Sequence, residues 1–109
     1  MTTKKTTTYL SFPKEELKDL IEQDHSIDIF SHYLFIESFT LDEQSPGNSE
    51  IVIGENKKLE GGTDEVNTYT VLLSDLLTNI LLAYNPDLTV GDILGVTDSV
   101  DQSKITVRY

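Results

Sequence analysis

The sequence predicts an α+β fold: one small sheet of about four strands, with two main helices packed on one face. Three observations carry this. A chain of 109 residues suits one domain with one core, spanning residues 1–109. Short runs rich in β-branched and aromatic residues recur near both ends and in the middle. Two stretches repeat their apolar residues at helical spacing. The order strand, helix, strand, strand, helix, strand matches the split βαβ, or ferredoxin-like, arrangement.

Each element has a local cause. Thr6 to Phe12 (TTTYLSF) puts Leu10 and Phe12 on one face and reads as a strand. Pro13 suits the first turn of a helix, and Glu15 and Glu16 suit its positive end. Leu17, Leu20 and Ile21 then form a core-facing stripe, so a helix is expected over Pro13 to Gln23. Ser26 to Phe30 reads as a single helical turn or as irregular chain. Tyr33 to Leu41 (YLFIESFTL) suits a strand buried on both sides, with helix as the open alternative. Pro46-Gly47 marks a turn, and Ile51 and Ile53 alternate in the strand Ser49 to Glu55, completing a hairpin.

Asn56 to Thr63, with Gly61-Gly62, reads as a loop. The second helix is expected over Asp64 to Ala83, because Val66, Tyr69, Leu73, Leu76, Leu77, Ile80 and Tyr84 share one face of a helical wheel. Asn85-Pro86-Asp87 stops it. Thr89 caps a one-turn helix, Val90 to Leu94, ending at Gly95. Ile105, Val107 and Tyr109 alternate with polar residues in a closing strand, Lys104 to Tyr109.

Charge is the one unusual bulk property. Nineteen acids against eight bases give −11. Such a field repels nucleic acid and anionic membrane and favours basic partners. The chain has no cysteine, so no disulfide, thiolate site or thiol nucleophile exists, and a reducing, cytoplasmic setting is expected. No signal-type or membrane-spanning run is expected either.

No motif announces chemistry. His25 and His32 lie seven residues apart: on a helix they would sit two turns apart, too far for one metal ion, and in irregular or extended chain the spacing says nothing. Asp87, Asp92, Asp98 and Asp101 lack the spacing of a calcium loop, and capping and turns account for Asp87 and Asp92. Gly61-Gly62 precedes a helix-like run but is ringed by Glu60, Asp64 and Glu65, which would repel a phosphate. The reading is therefore no catalytic residue, no metal and no cofactor.

Two surface features remain. Glu15, Asp19 and Glu22 fall at i, i+4, i+7 and form an acidic ridge opposite Leu17, Leu20 and Ile21. The bland account is a solvated helix face moderated by Lys14 and Lys18; the functional one is a patch for a basic partner. On the expected second helix, Val71 and Leu82 project away from the core stripe beside Asp75. They are either stray apolar residues or a second surface covered by a partner, another copy or the 85–103 segment folding back. The leading expectation is a non-catalytic acidic protein-interaction module that binds a protein partner with a basic surface, as an assembly, accessory or inhibitor protein. The alternatives are a nucleic-acid-mimicking inhibitor and a small-ligand binder whose pocket Tyr9, Tyr33, Tyr69 and Tyr84 would line.

Overall fold

Alternation with a period of two governs more of this chain than its helical spacings suggest. A computed structural model describes residues 8–26, 34–58 and 64–109, in which six strands form two separate antiparallel sheets. The first has the order β1-β6-β5, from β1 (Tyr9–Pro13), β6 (Lys104–Arg108) and β5 (Gly95–Asp98). The second has the order β2-β3-β4, from β2 (Leu34–Thr40), β3 (Glu50–Lys58) and β4 (Asp64–Leu72). The expected single four-stranded, ferredoxin-like sheet is thereby overturned.

The largest correction lies in residues 64–83. Their first half is strand: β4 pairs residue for residue with β3, from Glu50 against Leu72 to Lys58 against Asp64. Val66, Thr68, Tyr69, Thr70 and Val71 are β-branched or aromatic and fit a pleated surface better than a helix. Tyr69 and Val71 face the core while Val66, Thr68 and Thr70 face outward, which is strand periodicity. Only residues 73–84 are helical, and we label them α2. An α-turn, Leu73–Leu76, leads into a π-helical stretch, Leu77–Leu81, and a last turn, Leu82–Tyr84. The wider π turn accommodates an extra residue, and the neighbours Ile80 and Leu81 are both buried. Tyr84, assigned by the wheel to the core, is 45% exposed. The second correction is β5, which the sequence does not announce: of its four residues only Val96 is both apolar and buried.

Other elements follow their local chemistry. α1 spans Lys14–His25 and buries Leu17, Leu20 and Ile21 as expected. Pro13 is its N-cap, in extended conformation, and Ser26 closes it in the left-handed region, its N–H donating to Glu22 O. β2 and β3 pair as a hairpin, with a bulge at Glu37 between Ile36 and Ser38. Pro46–Asn48 makes a 3-10 turn between them. Thr89 caps another 3-10 turn, Val90–Asp92, shorter than the expected Val90 to Leu94, with Asp92 Oδ2 accepting from Thr89 N and Oγ1. Thr6, Thr7, Tyr33, the 27–30 turn and the Gly61-Gly62 loop lie outside the described residues.

One core joins both sheets and both helices. Phe12, Val96, Ile105 and Val107 come from the first sheet, and Leu34, Ile51, Ile53 and Val71 from the second. Leu17, Leu20 and Ile21 of α1 and Leu73, Leu76, Ile80 and Leu81 of α2 complete it. Where the sheets meet, Asp98 of β5 accepts a hydrogen bond from Ile36 N of β2 at 2.9 Å. Lys14 Nζ stands 3.0 Å from Asp98 Oδ1 and donates to Leu34 O at 2.5 Å. One lysine and one aspartate thus bind the start of α1 and the ends of β2 and β5 together.

Candidate functional site

α1 crosses near α2, and the polar residues flanking their apolar contact leave an open groove of about 210 Å³. Its floor is Leu20 and Ile80, both buried. Glu16, Asp19 and Gln23 of α1 and Asn79 of α2 line it. The spacing 16, 19, 23 puts the three α1 residues on one side of that helix. The Glu16 carboxylate is fixed by the Tyr84 hydroxyl, which donates to Oε2. That hydrogen bond, followed by desolvation and the carboxylate's charge, raises the Tyr84 pKa above its ordinary value. Asn79 Nδ2 donates to Asp75 O at 2.9 Å, leaving its carbonyl oxygen as an acceptor. Among the described residues Asp19 and Gln23 have no hydrogen-bond or ion-pair partner. Two carboxylates and two amides stand over an apolar floor: acceptors are in surplus. Such a groove can seat a cation on an aliphatic stem.

The sequence-expected ridge is partly the same surface. Glu15 and Asp19 are exposed, whereas Glu22 is half-buried and takes a hydrogen bond from Lys18 at 3.2 Å. Only Asp19 of the three reaches the groove. The second expected surface is not formed as read. Val71 is 1% exposed and belongs to β4, facing Ile51 across the ladder, while Asp75 and Leu82 are half-buried on α2. The strand reverses the side on which Val71 projects.

Other polar clusters have structural employment. Glu55 is 4% exposed on the inner face of β3, where its Oε1 accepts from Tyr69 Oη at 3.1 Å and Asn67 Nδ2 at 3.4 Å. The His25 ring packs on Tyr69, with centroids 5.6 Å apart. Tyr9 lies 63% exposed on β1, Tyr69 bonds Glu55 and Tyr84 bonds Glu16, so these three tyrosines line no common pocket. A second depression of about 400 Å³ beside Lys14, Lys18 and Leu34 has both ammonium groups already paired. Among the described residues no three His, Cys, Asp or Glu side chains are grouped to hold a metal. His32 and Tyr33 lie outside them. No described helix is long and apolar enough to cross a membrane.

The four acids once comparable to a calcium loop are dispersed. Asp92 caps a turn, Asp98 bridges the sheets, and Asp87 follows an Asx turn made by Asn85 Oδ1. Asp101 organises the β5–β6 loop: its Oδ1 accepts from Ser99 Oγ, Ser103 N and Ser103 Oγ at 2.7, 3.0 and 2.7 Å. These bonds favour the carboxylate and lower its pKa from 3.8 to about 2. The depressed value means that its stabilising share is full above the ordinary carboxylate range and fades as pH falls through about 2. An NMR titration of the Asp101 carboxyl should therefore show a midpoint near 2, moving up toward 3.8 when Ser99 and Ser103 are both replaced by alanine. An unshifted wild-type midpoint would remove the loop's anchor.

No family model, curated protein or solved structure matches the chain. What bears on its role is the chemistry of its own surface.

Proposed function

We propose that the chain is a non-catalytic, acidic protein-interaction module that docks a partner with a basic surface along α1. The observation that carries this is the acceptor-rich groove between α1 and α2. Among the described residues Asp19 and Gln23 stand there without partners, above the apolar Leu20 and Ile80. An arginine or lysine offers the complementary pair of features, methylenes for the floor and a charged head for the carboxylates. The net charge of −11 attracts such a partner before contact. Lys14 and Lys18 interrupt the negative run beside the ridge, which favours protein docking over imitation of a phosphate backbone.

A synthetic amphipathic helix of alternating arginine and leucine faces is the test probe, titrated into isotopically labelled protein. Amide shifts should concentrate at residues 16–23 and 79–80. Affinity should fall as salt rises, because the attraction is screened. Asp19→Lys should weaken binding by about tenfold or more, with the thermal melt nearly unchanged, since the side chain is exposed and unpartnered. Shifts spread evenly over every acidic residue, or equal binding by the variant, would defeat the groove.

A further inference from the structure

We infer that the outer edge of β4 is a pairing surface for a second copy of this chain, joined antiparallel about a two-fold axis at Thr68. Among the described residues β4 is an edge strand, paired with β3 alone. Which of its backbone groups face outward follows from the register. Leu73 N donates to Ser49 O at 2.9 Å, one step beyond the Glu50–Leu72 pair. Antiparallel ladders alternate bonded and non-bonded pairs, so odd-numbered residues of β4 bond to β3 and even-numbered ones turn their groups away. The N–H and C=O of Val66, Thr68 and Thr70 therefore form a row at the edge, without partners among the described residues.

Proteins protect exposed edges with charge, proline, bulges or cover. The other edges here carry such devices. β2 has its bulge at Glu37, β5 meets β2 through Asp98, and the five-residue β1 ends in Pro13. β4 opens with Asp64 and Glu65, but from Val66 to Leu72 it has no charge, no proline and no bulge, and Val66 is 55% exposed. That uncharged stretch offers a basic partner nothing to recognise. It does fit itself: like charges are the main obstacle to bringing together two chains of −11, and this stretch brings none.

The stereochemistry closes as well. With the axis at Thr68, Thr68 meets Thr68 of the partner subunit, and Val66 meets Thr70 of the partner subunit and the reverse. All three are outward-bonding positions, so each pair exchanges two hydrogen bonds and the outward groups of Val66, Thr68 and Thr70 are satisfied on both edges. The outward side chains meet as β-branched cross-strand pairs.

Sedimentation velocity over a concentration series, with the full chain, tests this. A monomer–dimer equilibrium is expected that strengthens with added salt, because screening relieves repulsion between like-charged copies; binding of a basic partner through the groove would respond oppositely. Thr68→Lys sets two ammonium groups opposite one another, and Thr68→Pro removes only an outward N–H. Each should raise the dimer Kd by about tenfold or more while the melt of the dilute protein holds. Thr97→Lys, on the exposed face of β5, is the control and should leave the Kd unchanged. In the dimer, amide exchange at Val66, Thr68 and Thr70 should slow. A monomer at every concentration and salt, an assembly larger than a dimer, or a dimer indifferent to both Thr68 substitutions overturns the inference.

Discussion

Val71→Asp should unfold the chain, whereas Thr70→Asp, one residue earlier, should leave the fold standing. Val71 is 1% exposed and lies within the core, beside Ile51 and near Phe39. Replacing it forfeits about 1.5–3 kcal/mol of apolar burial. A carboxylate in its place adds several kcal/mol more, since no cation stands in the apolar cluster to pair it. The sum is comparable to the whole stability of a domain this size, about 5–15 kcal/mol. Thr70 points outward and is exposed, so an aspartate there costs about 0.5 kcal/mol. Far-UV circular dichroism with a urea melt separates the two. A cooperative, wild-type-like melt for Val71→Asp would mean that residues 64–72 are not this strand.

The same position explains what sequence could and could not disclose. Val66, Tyr69, Leu73, Leu76 and Ile80 satisfy a helical wheel because a strand and a helix follow each other without a break. The spacing of Leu73, Leu76 and Ile80 is truly helical, and it lent its period to the residues before it. Composition held the contrary clue, since Val, Thr and Tyr crowd residues 66–71 while leucines crowd the stretch after. α1 was legible because Leu17, Leu20 and Ile21 form one stripe, and β3 and β6 because Ile51, Ile53, Ile105 and Val107 alternate. β5 was not: four residues with one buried valine lie below any periodic signal. Of the groove, the acidic ridge disclosed Asp19, but Glu16, Gln23 and Asn79 were missed. Glu16 and Gln23 share Asp19's side of α1, which was a usable signal. Asn79 joins them only through the packing of α2, which nothing local encodes.

The junction between the sheets was equally invisible, and it carries the second large effect. Ile36 and Asp98 are 62 residues apart, yet one hydrogen bond links them. Asp98 Oδ1 lies at ion-pair distance from Lys14 Nζ but off the line of a hydrogen bond, so the contact is chiefly a charge attraction. With side chains only 15% and 22% exposed, solvent screens it less than a surface pair. Lys14→Ala should cost about 2–3 kcal/mol, because it strands a shielded carboxylate and removes a donor from Leu34 O. Asp98→Ala should cost about 2–4 kcal/mol, since it leaves Ile36 N unsatisfied as well as Lys14 unpaired. Asp98→Asn, which keeps an acceptor for Ile36 N but no charge, should fall between wild type and alanine. Urea melts of the single and double alanine variants give the coupling, expected at about 1–2 kcal/mol. Additive losses would mean that the two side chains stabilise their own strands separately. Coupling would mean that the two sheets share one cooperative unit because a lysine at the first turn of α1 and an aspartate at the end of β5 hold their neighbouring edges in place.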